Sequence, residues 1–152
     1  MFRLRSHRVS FLVSLFAAIC VFSAPNRAQN WSAVADFDLS QNPSNVWSYG
    51  WMPNGGMTFH PFTVVASGCG TTGWIDPAVA TACVTKLDQP VPYSCATLTI
   101  QPGYLQAHPG PAGESPVVRW PAPTNNSYAV AIAMVGVDYV SPPTTDLHSR
   151  HN

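Results

Sequence analysis

Six residues in this chain have the types and spacing to touch a ligand: Trp47, Tyr49, Trp51, Trp74, Tyr104 and Arg119. Trp47, Tyr49 and Trp51 alternate within Val46–Trp51 (VWSYGW), so an extended strand there carries all three rings on one face, with Ser48 and Gly50 on the other. Flat aromatic faces suit the C–H face of a pyranose. They equally suit one wall of a buried core, and same-face aromatics beside a Gly-rich turn favour the core. Trp74 and Tyr104 fall in loop-like sequence, where an exposed ring is better placed to meet a ligand. Arg119 alternates with Val118 and Trp120 on a short apolar strand. Its guanidinium could hold a sugar hydroxyl or a carboxylate in a fork. A partly buried arginine must also be paired, and Glu114, Asp138 and Asp146 are candidates, which favours a structural role.

Other chemistry is weaker. His108 sits in the Pro/Gly-dense run Pro102–Ser115 and has no acid or histidine at metal-ligand spacing, so it reads as a loop histidine bonded to backbone. His60, just before Pro61, reads the same way. Asp36, Asp38, Asp138 and Asp146 could offer oxygens to a structural calcium, but no Asp-x-Asp-x-Asp-Gly loop assembles them, and turn capping is the simpler role. No cofactor motif is present. Gly-x-Ser-x-Gly, His-Glu-x-x-His and P-loop patterns are absent, and Glu114 is the sole glutamate for a two-carboxylate glycosidase. The chain reads as a non-enzyme.

The elements that must position these residues begin after an export segment. Met1–Arg8 carries Arg3, Arg5 and Arg8, and Val9–Ala24 is apolar and ends in small residues. That is the pattern of a secretory signal peptide over residues 1–28, cleaved after Ser23 or Ala28, and its apolar core is shorter than the roughly 20 residues a spanning helix needs. Residues 29–152 then form a single domain. That part retains Lys86, Arg119 and Arg150 against seven acids, a net charge of −4. A mildly acidic, charge-poor domain offers nothing to nucleic acid or to an anionic membrane surface. Cys69, Cys83 and Cys95 remain in a compartment that permits disulfides. Three is odd, so one bond is expected, with Cys69–Cys83 slightly preferred because both lie in loop-like sequence.

Prolines and glycines punctuate short apolar runs, and no helical stripe survives outside the signal peptide. This predicts an all-β, antiparallel β-sandwich. Expected strands are Trp31–Leu39, with Asp36 and Asp38 on one face, then Val46–Trp51, Phe62–Ala66, Tyr93–Ile100, Val117–Trp120 and Ser127–Val137. Gly68–Lys86 reads as irregular and Pro102–Ser115 as a loop. Ser127–Val137 (SYAVAIAMVGV) is apolar on both faces and predicts a central strand.

The segments DFDLSQNPSNVWSYGW, YLQAHPGPAGESPVVRWPAP, SYAVAIAMVGVD and TTDLH, in that order over about residues 35–148, resemble an exported bacterial domain found in proteins with a C-terminal Pro-Glu-Pro sorting signal, the PEP-CTERM group. The resemblance implies a galactose-binding-like or carbohydrate-binding-like sandwich of jelly-roll type and brings no catalytic motif. Members of that group continue into further strands and the Pro-Glu-Pro anchor. Here the chain stops at Asn152, so the sandwich is expected to lack its C-terminal strands. The functional expectation is a secreted or envelope-associated module that binds polysaccharide or extracellular matrix. The alternatives are a structural or adhesive surface protein with no small ligand, or a remnant without an independent role.

Overall fold

The computed structural model describes residues 29–138 and 140, and it is all-β, with antiparallel pairing throughout. Nine strands are described: β1 (Ser48–Met52), β2 (His60–Pro61), β3 (Val64–Gly68), β4 (Thr71–Ile75), β5 (Cys83–Leu87), β6 (Tyr93–Cys95), β7 (Leu98–Ile100), β8 (Leu105–His108) and β9 (Ser115–Arg119). They form a three-stranded sheet in the order β2-β1-β9, a four-stranded sheet in the order β3-β4-β5-β8, and the hairpin β6-β7. The predicted all-β, sandwich-like architecture is what the chain adopts. The expected signal peptide, Asp146, the Thr-Thr-Asp-x-His segment and Arg150 lie outside the described residues.

The core sits between the two larger sheets. Tyr49, Phe62, Trp74, Val79, Ala82 and Val84 are buried, and Phe37, Leu39, Trp47, Trp51 and Leu105 pack against them. The pleat explains the selection. Trp74 and Val84 are register partners across β4–β5, so they share the inward face. Tyr49 and Trp51, two apart on β1, point the same way, and Gly50 between them, also buried, faces the other way, under the Phe59 ring. Gly50 has to be glycine: a Cβ would reach the Phe59 ring at 2.6 Å and crowd the His60 carbonyl.

Asn42 locks β1 from the side. Its Nδ2 donates to the Tyr49 carbonyl at 2.6 Å and to the Phe62 carbonyl at 2.8 Å, while its Oδ1 accepts from the Tyr49 N–H at 2.9 Å. One amide side chain thus extends the β1–β2 pairing, giving the Tyr49 N–H and the Phe62 carbonyl a partner and adding a second donor to the Tyr49 carbonyl, which already accepts from the Phe62 N–H.

Five expectations are corrected. Tyr93–Ile100 is not one strand but the hairpin β6-β7, turned at Ala96 with a positive φ of 51°. Trp31–Leu39 is not a strand. Ser32 Oγ accepts from the Ala35 N–H, Asp36 Oδ2 accepts from the Ser32 N–H, and the Asp36 N–H donates to the Ser32 carbonyl, which closes a turn instead. Asp36 and Asp38 therefore share no strand face. Gly68–Lys86 is not irregular but holds β4 and β5, the centre of the larger sheet. The glycine that made Thr71–Ile75 look broken is required there, because a Cβ on Gly73 would meet the Thr85 Cβ at 2.9 Å and press on the Val84 carbonyl. The expected loop Pro102–Ser115 contains β8, recruited by pairing with β5. Ser127–Val137 is no central strand. Among the described residues its backbone pairing is confined to its end, by the Thr99 N–H to Val137 carbonyl bond at 2.9 Å and the Leu98–Asp138 bridge. Tyr128 at its start packs edge-on against Trp120, and the apolar side chains beyond it lie open, Val130 at 72% exposure and Ile132 at 56%.

Candidate functional site

The aromatic stripe of β1 resolves into core. Tyr49 is fully buried, its hydroxyl donating to the Ala33 carbonyl at 3.4 Å and its ring edge-on to Phe37 at 5.0 Å. Burial, with Asp36 and Asp38 adding negative potential, pushes its phenol up to about 12. Trp47 donates its indole N–H to Asp36 Oδ2 at 3.0 Å, and Trp51 donates to Asp76 Oδ2 at 3.0 Å while stacking on the His60 ring at 4.5 Å. Trp74 is not in a loop. It lies on β4, buried, donating to the Asp38 carbonyl at 2.9 Å. These four aromatics have their polar atoms committed to protein partners, and three of them, Trp47, Tyr49 and Trp74, tie the Trp31–Ser40 segment down across the core.

Arg119, at the end of β9, is exposed, and its guanidinium carbon stands 5.4 Å from the centre of the Phe59 ring. Among the described residues it forms no ion pair with an acid, and its contact there is an aromatic face; Asp146, one of the expected partners, lies outside them. The described acids serve local backbone and side-chain donors. Asp38 accepts from Ser40, which holds its carboxyl below the usual range; Asp76 caps the short 3-10 helix Pro77–Val79 through the Ala78 N–H; Glu114 accepts from the Ala112 N–H. Among the described residues no three His, Cys, Asp or Glu side chains converge on one point. Asp36, Asp38 and Asp138 each accept a nearby backbone N–H, which fits the turn-capping role expected of them.

Of the six ring and cation candidates, Tyr104 lines one of two neighbouring cavities. Its side chain is 49% exposed, just ahead of β8, beside a cleft of about 190 Å3 bounded by Thr99, Gln101, Gln106 and the backbone near Met134. A larger groove, of about 350 Å3, lies over the face of the β3-β4-β5-β8 sheet turned away from the core. The registers explain its lining. Ile75, Cys83 and His108 form one cross-strand row, and Gly73, Thr85 and Gln106 form the next, so all six point outward together. Thr85 Oγ1 donates to Gln106 Oε1 at 3.2 Å. Leu98 and the Cys69 end of a disulfide close one side. Gln106 belongs to both cavities, which therefore meet at β8.

The disulfide joins Cys69 to Cys95, not to Cys83 as expected. Cys69 follows β3 at a positive φ of 51° and turns towards the β6-β7 hairpin, whereas Cys83 is fixed by its register four residues along β4–β5 from that end. Cys83 is free and half-buried; burial pushes its thiol up, and the His108 backbone opposes that shift. His108, expected to be a loop histidine bonded to backbone, does bond backbone, with Nδ1 2.7 Å from the Pro109 carbonyl, but from a strand that brings it opposite Cys83. The groove residues Thr85, Gln106 and Cys83 were not foreseen as a site. The alternation of Cys83, Thr85 and Leu87 was the available signal, and the neighbouring glycines obscured it.

No helix among the described residues is long and apolar enough to cross a membrane. No family model matches the chain, and neither a curated protein nor a solved structure matches it.

Proposed function

We propose that the chain is an exported, non-catalytic binding module of the cell envelope or extracellular space, of the carbohydrate-binding type found in the PEP-CTERM group it resembles, with polysaccharide as its ligand. The observation that carries this reading is the pair of cavities meeting at Gln106, with the exposed Tyr104 ring at one end. A stacking ring beside amide and hydroxyl groups is the donor set that sugar recognition uses. Thr99, Gln101, Gln106, Thr85 and Thr81 supply those groups along the cavities. The structural commitment of the described acids supports a role without acid–base chemistry, and the Cys69–Cys95 bond suits an oxidising compartment.

A polysaccharide panel read by intrinsic fluorescence and by pull-down tests the proposal. The expected result is saturable binding to at least one polymer, weakened tenfold or more by Tyr104→Ala and by Gln106→Ala, and unchanged by Arg119→Ala. Indifference to every polymer overturns it. A second reading, an adhesive or structural surface protein, is favoured by the open apolar run Ser127–Val137. Concentration-dependent association abolished by Ile132→Ser together with Val130→Ser, in a protein that binds no polysaccharide, would establish that reading.

A further inference from the structure

Cys83 and His108 are direct cross-strand partners on β5 and β8, and both line the 350 Å3 groove. Side chains opposite each other on one face of an antiparallel pair have Cβ atoms about 5 Å apart, within reach of one shared ion. We propose that Cys83 Sγ and His108 Nε2 form a two-coordinate site for a soft, thiophilic monovalent cation of the Cu(I) and Ag(I) class. The site is separate from Tyr104 and does not rest on polysaccharide binding.

The protonation of the histidine favours this role. Nδ1 lies 2.7 Å from the Pro109 carbonyl, and a carbonyl oxygen can only accept, so Nδ1 carries the hydrogen. In the neutral imidazole this tautomer places the lone pair on Nε2. Thr81 Oγ1 donates to the same carbonyl at 3.2 Å and helps to hold it in place. A metal-binding imidazole whose other nitrogen is tied to a backbone carbonyl has its tautomer and ring direction set in advance. The sulfur is available as well, since Cys83 stands outside the Cys69–Cys95 bond.

The donor set selects the ion. Thiolate with imidazole favours soft metals. Zinc in a structural site takes four ligands and calcium six to eight oxygens, while among the described residues no three His, Cys, Asp or Glu groups meet. A d10 monovalent ion is satisfied by two donors in line. On binding, the Cys83 S–H bond breaks, the proton leaves to solvent, a sulfur–metal bond forms, and His108 Nε2 donates its lone pair. The metal keeps its oxidation state. His108 is exposed, so the ion has an entry path, and Cys83 is half-buried, which shields the bond from competing thiols.

The test is titration of the purified protein, disulfide intact and without reductant, with Ag(I) as the redox-inert probe, followed by calorimetry and thermal melting. The expected result is one ion per chain, a rise in Tm on saturation, and affinity reduced at least tenfold in both Cys83→Ser and His108→Ala. X-ray absorption at the silver edge should show one sulfur and one nitrogen neighbour. Undiminished binding by His108→Ala reduces the site to a bare thiol and overturns the proposal, as does undiminished binding by Cys83→Ser or failure to bind at all. Should either variant melt differently from the parent without metal, the parent alkylated at Cys83 with iodoacetamide and the variant His108→Asn take their places. Tyr104→Ala, the variant that tests polysaccharide binding, should take up silver normally.

Discussion

Two stretches of this chain open on Ser-Tyr and continue as apolar, alternating sequence, yet the fold treats them oppositely. In β1, Tyr49 is fully buried and both edges of the strand are paired, by β2 and β9. In Ser127–Val137, Val130, Ile132, Met134 and Val135 are all more than half exposed, and the described pairing is confined to the far end. Apolarity is greater in the second. The difference lies in what surrounds each. The Ser48/Gly50 face of β1 accepts Phe59 at close range, its Tyr49/Trp51 face meets the opposite sheet, and Asn42 completes its hydrogen bonding. An alternating pattern states which residues want cover; supplying that cover is the work of other segments.

The contrast can be broken at its strong end. Phe62 packs beside Tyr49 at 1% exposure, so Phe62→Ala should cost about 4 kcal/mol in denaturant unfolding, with the slope m unchanged. Asn42→Ala removes three hydrogen bonds to backbone beside β1 and should cost about 2–3 kcal/mol; Asn42→Asp, which sets a carboxylate oxygen against the Tyr49 and Phe62 carbonyls, should recover none of it. Tyr49 sharpens the comparison through pH. Its folded value lies above its unfolded one, so the neutral phenol stabilises the fold fully below pH 10.0, and that contribution is lost as pH rises towards 12. A melt series across this window should show falling Tm that Tyr49→Phe lessens. At the weak end, Ile132→Ser should change stability by less than about 0.5 kcal/mol while raising the concentration at which the protein stays monomeric in ultracentrifugation. A large loss there would mean that Ser127–Val137 is covered after all.

How much was legible follows the same division. The all-β class, β1, β9 and the core role of the Trp47–Tyr49–Trp51 stripe rest on local alternation and turn chemistry, and these were readable. β4 and β8 were not, because what makes them strands is β5 between them: Gly73 looks like a breaker until Val84 and Thr85 are placed against it. The disulfide was missed for a related reason. Proximity of Cys69 to Cys95 depends on where the β6-β7 hairpin folds back, which sequence spacing does not encode. The groove inherits these omissions, since its walls are the outward faces of the strands that could not be foreseen. Tyr104 was readable as an exposed loop ring, whereas its neighbours Gln106 and Thr85 needed the register.

The joint between the N-terminal segment and the smaller sheet has a spectroscopic consequence. Trp31 lies 5.2 Å from Trp120, which is 6.5 Å from Trp47 and 4.9 Å from the Tyr128 ring. Rings this close and inclined to one another couple their electronic transitions, so the far-ultraviolet circular dichroism carries an exciton band on top of the strand signal. That band reports whether residues around Trp31 are seated against the end of β9, independently of whether the sheets are formed. Heating should therefore resolve two signals from one spectrum, the loss of the indole couplet and the loss of the β contribution, and Trp120→Phe should remove the first while leaving the second in place.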